Sequence, residues 1–583
     1  VLSGRRGTTS PVNLHKLTRP TGWFGLAVAK TYIELHPDGH VVVVESASSV
    51  GGVWTPERIY PGLKSNNMLG TYEYSDFPMD TKSFGVEPGE HIPGAVVHRY
   101  LTAYAQRFGV YERTRLNTRV ETAEEDKERS EWTLSVTDTK TGTKSSLKTK
   151  KLVIATGLTS QPHMPTFTGQ DAFESPLFHI KDFAAHASTL ETARHAVVLG
   201  GAKSAWDAAY AYAEAGATVD MVIRPSGRGP VWMAPAYVTP LKKWLEKLVH
   251  TRLLQWLSPC IWGSEDGYGG IRGFLHSTWA GRKFVDAFWA ILGADVVALN
   301  KFDSDPALAP LKPWHPAFWV GSGLSILNYP SDFFAHVRAG TIRVHHAEIT
   351  HLSPRTAHLS TGEKLDADVF VCATGWDSRL PLTLRRADRG DQGADDAALV
   401  AKADEAILAA FPRLRAQPDI NTPSPSSSPS AVEQQKQPPH LYRFIAPPST
   451  FPFSLSSPPP NLAFAGLCTT ISTPLVAQAQ ALWIVAYFAS SLTRGPSSTA
   501  QATWVSVLYA RFGRWRYPLG YGARVPDFVF DALPYVDMLL RDVGVKVKRK
   551  GGWWREVTEP YGPADYRGLV GEWRRTRMRV DGE

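Results

Sequence analysis

Two short glycine turns, Gly22-Trp-Phe-Gly25 and Gly200-Gly-Ala-Lys-Ser-Ala205, carry the residue types best suited to chemistry in this chain. Each opens a helix. A helix start fronted by small residues binds a pyrophosphate through its free N–H groups and its dipole. About twenty residues past the first turn, the apolar run Val41–Val44 ends in Glu45, an acid placed to accept hydrogen bonds from a ribose. Past the second turn, the run Thr218–Ile223 ends in Arg224. A guanidinium at that tip suits the 2′-phosphate of NADP through charge-assisted, bidentate hydrogen bonds, with Ser204 beside Gly200 as a further contact. The spacing therefore predicts two dinucleotide sites.

The elements that must hold these residues read as strand–turn–helix units. Ala27 and Ala29 let the first helix lie close to a sheet, and His36-Pro-Asp-Gly39 ends it. Leu152–Ile154 and Val369–Cys372 are apolar runs, each followed by an Ala-Thr-Gly turn, at Ala155–Gly157 and Ala373–Gly375. One part departs from the pattern: Pro20 stands where a tight glycine turn is expected, fixing φ and removing an N–H. Upstream, Val12–Arg19 reads as too polar for the central strand of a parallel sheet. Either the first strand is absent from this sequence or a poor strand replaces it. At the second turn Ala202 stands at the third position, where glycine is usual, and its methyl pushes a pyrophosphate outward.

Composition narrows the classes. The chain has 583 residues, 43% apolar and 20% charged, enough to fill sizeable cores and too much for wholesale disorder. Its three cysteines, Cys260, Cys372 and Cys468, form no CxxC pair, which excludes a dithiol redox centre and a zinc ribbon. The net charge of +8 is concentrated in the C-terminal segment, yet no nucleic-acid module accompanies it. No apolar h-region follows Arg5 and Arg6, so no signal peptide is expected and the cytoplasm is the default location. The uncharged stretch Phe444–Thr493 is broken by prolines and by Gln478 and Gln480, which argues against a membrane span. Residues 418–460 are rich in Pro and Ser and read as a linker or surface excursion. Tyr237–Leu257 is amphipathic, suited to packing over a cleft or to contact with a membrane surface.

Gly22–Trp54, followed by Tyr60-Pro-Gly-Leu-Lys-Ser-Asn66 and Tyr74-Ser-Asp-Phe-Pro78, resembles the flavin-containing monooxygenases, and within them a divergent fungal branch associated with secondary metabolism. The likeness runs from about Gly22 to about Tyr566, interrupted at 386–460. It implies FAD in the first site, with Gly22 and Gly25 at its turn and Glu45 on its ribose. It also places Gly52 and Trp54 along the pyrophosphate and ribityl chain, and Asn66 beside the reacting flavin edge as the catalytic residue. Phe173-Glu-Ser175-Pro-Leu-Phe-His179-Ile-Lys-Asp-Phe183 resembles the family's fingerprint, with Ser175 in place of glycine. By that resemblance His179 organises the linker and NADP, and Phe183 points to heteroatom oxidation, because Baeyer–Villiger enzymes usually carry Trp there. Gly157 and Gly375 look like the family's domain-crossing turns. The chain would return to FAD at Asn461–Gly466, where Thr473-Pro474 supplies an N-cap and an N1 proline to a helix aimed at the flavin.

The expected architecture is α/β: two Rossmann-like dinucleotide-binding domains, for FAD and NADP, with a discontinuous FAD domain, a helical insertion and a C-terminal extension. The expected divisions are an FAD part at 1–160, a linker at 161–190, an NADP domain at 191–375 with its insertion at about 236–330, an FAD return at 376–495 and an extension at 496–583. The implied function is NADPH- and O₂-dependent monooxygenation of a small organic molecule through a C4a-hydroperoxyflavin, by N- or S-oxidation or a related reaction. The expected partners are O₂ and a small-molecule substrate, with no metal or nucleic acid; the partner of the basic tail and the oligomeric state are not legible. The rivals are a Baeyer–Villiger enzyme on the same scaffold, a plain NADPH dehydrogenase, and a non-catalytic remnant that has lost its FAD site.

Overall fold

The computed structural model describes residues 14–18, 21–238, 243–386, 397–418, 440–453, 458–522 and 525–581. Pro20, most of the Pro/Ser-rich stretch and Leu241 of the amphipathic run lie outside these.

Two five-stranded parallel sheets organise the molecule. In the first, the order is Leu462–Phe464, Lys151–Ile154, Leu14–Thr18, His40–Val44, Thr114–Arg115. Leu14–Thr18 therefore holds the central place that its polarity argued against. It pairs with Val41–Val44 on one side and Lys151–Ile154 on the other, so a ladder on both edges outweighs a weak local preference. A poor strand has replaced the usual one. The last strand to join, Leu462–Phe464, comes from far down the chain, which makes this domain discontinuous.

The second sheet runs Leu177–His179, Val369–Cys372, His195–Leu199, Thr218–Ile223, Ile342–His346. Its three inner strands are almost wholly buried apolar runs, as a sheet covered on both faces requires. Antiparallel ribbons attach to each sheet, at Thr118–Thr149 and at Ile349–Asp366.

The helix Thr473–Phe488 is buried along nearly its whole length against the Trp23–Leu35 helix. Its two glutamines are used rather than exposed. Gln480 accepts from Gly466 N–H (3.0 Å) and donates to Tyr535 Oη (2.8 Å), while Gln478 accepts from Ser75 N–H (3.0 Å). No described helix is long and apolar enough to cross a membrane.

The insertion contributes helices at Leu245–Val249, Arg252–Trp256, Gly269–Ser277 and Trp279–Leu299. The amphipathic run expected over Tyr237–Leu257 is thus broken into two short helices. Thr251 caps the second by accepting from Leu254 N–H, and Arg252 turns inward to a buried pair with Asp537 and Glu556 (Nε to Oε1, 2.8 Å). The C-terminal segment is woven into the core. Asp527–Phe528 pairs with Thr469–Thr470, and the basic tail pairs internally through Lys550–Asp565 (2.8 Å) and Arg549–Glu572 (3.1 Å).

Candidate active site

At the first turn Gly22 caps the Trp23–Leu35 helix in extended conformation, and Gly25 is buried one turn in. Gly51 N–H donates to Thr21 C=O at 2.8 Å, which draws a second glycine segment across the turn. Gly52 has φ +62°, and a Cβ there would stand 2.9 Å from Gly22 Cα, so only glycine permits this backbone contact. Glu45 is buried at the strand tip, accepting from Thr21 Oγ1 at 2.6 Å and from Ala47 N–H at 2.9 Å. Its carboxylate is fixed in place and retains lone pairs for a further donor.

Near these turns in the sequence, several buried polar atoms have no hydrogen-bond partner among the described residues: Trp54 Nε1, Thr55 Oγ1 and Thr156 Oγ1, the last next to Gly157. Buried donors in native proteins are normally paired. Orphaned buried donors close in sequence to Gly52 and Gly157 are what an acceptor-rich dinucleotide would satisfy, so the residues present suit FAD. Gly466, at the end of the closing strand, packs against the Phe24 ring, joining the return segment to the first turn. The Thr473–Phe488 helix begins at Thr473 with Ser472 as its N-cap, one residue earlier than the sequence suggested; Thr473 Oγ1 donates to Thr470 C=O at 3.0 Å.

The second turn opens onto a cavity of about 600 Å³, within the range of small-ligand sites. Gly200 has φ +147°, and a Cβ would lie 2.5 Å from Ala373 C=O, so a side chain is excluded. Ala202 is the N-cap of Lys203–Glu214, and Ser204 and Arg224 both line the cavity. Arg224 has no hydrogen bond or ion pair among the described residues, which leaves its guanidinium available to an anion. Sequence reasoning missed Arg228 and Trp314 in the same wall. Arg228 Nη1 donates to Gly520 C=O at 2.8 Å, and Trp314 packs flat on Gly229. The signal for Arg228 was its place four residues past the strand tip; Trp314 carried none.

The fingerprint segment supplies Leu177–His179, the edge strand of the second sheet. His179 is buried, accepts from Lys181 N–H at Nδ1 (3.1 Å) and therefore donates from Nε2 to Gly375 C=O (2.9 Å). Burial holds its pKa below the ordinary histidine value, which keeps it neutral. It ties the linker to the second Ala-Thr-Gly turn. Phe183 is fully buried, 5.4 Å from the Tyr60 ring and 5.5 Å from Tyr212, so it sits in the core and not in the cavity wall.

On the strand Lys64–Met68, Asn66 is exposed while its neighbour Asn67 turns inward, donating to Ile471 C=O at 2.9 Å and to Glu246 of the insertion. Asn67 and Glu246 were not singled out in the sequence, because 179 residues separate them.

With this geometry in view, comparison with known proteins is decisive. The chain is 35% identical to the FAD-dependent monooxygenase rstn6 of Aspergillus nomiae over 95% of its length and 97% of that protein. It is 35% identical to the FAD-dependent monooxygenase resA of Aspergillus sclerotiorum, over 96% and 98%. The chain belongs to the FAD-dependent monooxygenases. Residues 64–255 of this monooxygenase also match the family described as pyridine nucleotide-disulphide oxidoreductase, although its three cysteines are all buried and free. Among solved structures, cyclohexanone monooxygenase in its open form aligns with a TM-score of 0.58 at 16% identity, covering 92% of this FAD-dependent monooxygenase and 98% of that chain. The polycyclic ketone monooxygenase of Thermothelomyces thermophila aligns with 0.57 at 15%, covering 91% and 89%. These likenesses bear on the fold alone.

Proposed function

We propose that this protein uses NADPH and O₂ to oxygenate a small organic molecule. FAD, when bound, supplies the redox and oxygen chemistry that no side-chain constellation on the described surface offers. The observation that carries this reading is the pairing of two glycine-walled turns, one followed by the buried Glu45 and the other opening on a cavity lined by Arg224.

The chain's own residues bind and position. Gly22 and Gly52 let the pyrophosphate approach the N-terminus of the Trp23–Leu35 helix, and Glu45 accepts from the adenosine ribose. Trp54 and Tyr72, with ring centroids 6.3 Å apart, exclude water from the inner end of the first site. Arg224 and Arg228 hold the 2′-phosphate of NADPH across the facing cavity. His179 fixes the Gly375 turn, so that the second nucleotide keeps its place against the first.

N- or S-oxidation is the preferred reaction, supported by Phe183 at the last fingerprint position. A ketone panel that yields esters would replace it with Baeyer–Villiger chemistry. Purified protein is expected to be yellow and to consume NADPH and O₂ together. Protein that remains colourless after incubation with FAD would overturn the reading.

A further inference from the structure

Two residues one turn apart in the insertion reach two different parts of the flavin domain. Glu246 and His250 are both buried, on and just after the helix Leu245–Val249. Glu246 accepts from Asn67 Nδ2 and, through Oε2, from Met68 N–H at 3.2 Å. His250 Nδ1 lies 2.6 Å from Glu246 C=O, an acceptor only, so Nδ1 carries the proton. His250 Nε2 must then accept from the hydroxyl of Ser472, at 2.6 Å. Ser472 is the N-cap of the Thr473–Phe488 helix. Its neighbour Ile471 receives the second hydrogen bond of Asn67 at 2.9 Å.

These bonds close a ring: Glu246 to Asn67, Asn67 to Ile471, Ser472 to His250, and His250 back to the Glu246 backbone. Each member is fully or partly buried, and a buried hydrogen-bonded ring of this kind fixes one geometry because breaking any bond orphans its partner. Burial also raises the Glu246 carboxyl. The ring joins three segments that are otherwise separate, the insertion, the Lys64–Met68 strand and the start of the buried helix.

We propose that Glu246 is a positioning residue of the oxygenation site, working with His250 as a clamp that sets the flavin-facing start of the Thr473–Phe488 helix against the Asn66-bearing strand. This rests on the functional reading above together with the family resemblance, which implies the flavin beside both segments. The insertion then controls flavin geometry instead of merely covering a substrate.

The test compares Glu246→Ala, Glu246→Gln and His250→Phe in the full-length protein. The readouts are FAD affinity by flavin fluorescence, the visible band of bound flavin, and peroxide released per NADPH oxidised. Glu246→Ala is expected to weaken FAD binding about tenfold, the scale of one lost charged hydrogen bond, to shift the flavin band and to raise peroxide release. Glu246→Gln, which keeps one acceptor, is expected between Ala and the unsubstituted protein, and the KM for NADPH should stay within about twofold, because the second site is untouched. A folded Glu246→Ala protein with unchanged flavin spectrum and FAD affinity overturns the proposal. Should that variant not fold, unchanged values in His250→Phe, which loses both the Ser472 bond and the Nδ1 bond to Glu246 C=O while leaving the Glu246 carboxylate in place, overturn it equally. Failure of the unsubstituted protein to take up FAD is a different result, and it removes the functional reading on which the clamp rests.

Discussion

Tyr60 donates its hydroxyl to Asp207 on the Lys203–Glu214 helix at 2.8 Å. Asp207 also receives Tyr329 (2.9 Å) and pairs with Lys203, whose ammonium lies 4.4 Å from the Tyr329 ring centre. Three segments far apart in the sequence are thus joined through one carboxylate, one turn into the helix that follows Gly200. Burial and Asp207 both raise the Tyr60 hydroxyl far above the ordinary tyrosine range, so it remains a donor at all working pH values. Tyr60→Phe should raise the KM for NADPH several-fold and lower stability by about 1.5–3 kcal/mol, the range for a bond to a charged acceptor. Steady-state kinetics and denaturant unfolding measure the two effects; an unchanged KM would separate the latch from nucleotide binding.

Gly200→Ala meets a backbone wall. Its Cβ would fall 2.5 Å from Ala373 C=O, and φ +147° is closed to side chains. The expected outcome is loss of NADPH binding by at least about tenfold with FAD retained, because only the second turn is distorted. Titration calorimetry on the yellow protein measures both.

Arg224 and Arg228 should have separable effects. Arg224→Ala removes a guanidinium that has no hydrogen bond or ion pair among the described residues, so the NADPH-to-NADH ratio of kcat/KM should fall about 10- to 100-fold, as for one charge-assisted contact. Arg228→Ala also releases the Gly520 carbonyl, so it should additionally loosen the Leu519–Tyr521 part of the cavity wall. Limited proteolysis in that segment reports the second effect.

Stability should fall as pH rises towards neutrality. Burial pushes the Glu246 carboxyl up to about 7, and that of Asp531 likewise to about 7. Unfolded carboxyls titrate near 4. Between those values the folded chain binds more protons than the unfolded one, so unfolding becomes easier with each step in pH. The stabilising contribution is complete below about 4 and is lost as pH passes about 7. His250 and Tyr72 face Glu246, and Tyr517, Arg516 and Asp527 face Asp531. Thermal melting at pH 6 and pH 8 should give the higher Tm at pH 6, with a smaller difference in Glu246→Gln.

The parts legible in the sequence are those written locally. Val41–Val44 ending in Glu45, and Thr218–Ile223 ending in Arg224, are apolar runs with punctuation at both ends, and the structure makes strands of them. Leu14–Thr18 was not legible, because a central strand can be imposed by neighbours already presenting two edges. The break in Tyr237–Leu257 was hidden for a related reason. Arg252 reads as surface charge until Asp537 and Glu556, about 300 residues later in sequence, supply its buried partners. Phe183 matched a motif, yet a motif position does not say which way a ring faces; here Tyr60 and Tyr212 enclose it. The ring through Glu246 was beyond sequence reasoning, since its five members come from three distant segments.

The closing strand Leu462–Phe464 has a consequence for biosynthesis. It pairs with Lys151–Ile154, whose open edge leaves the ribosome about 300 residues earlier. At ~5–20 residues per second that edge waits tens of seconds for its partner. During that interval the second sheet, whose strands all lie between Leu177 and Cys372, can be completed first. The nascent protein therefore assembles its later domain before its earlier one, with an apolar sheet edge uncovered meanwhile. Chaperone supply during synthesis, more than the stability of the finished fold, should limit its yield in a foreign host.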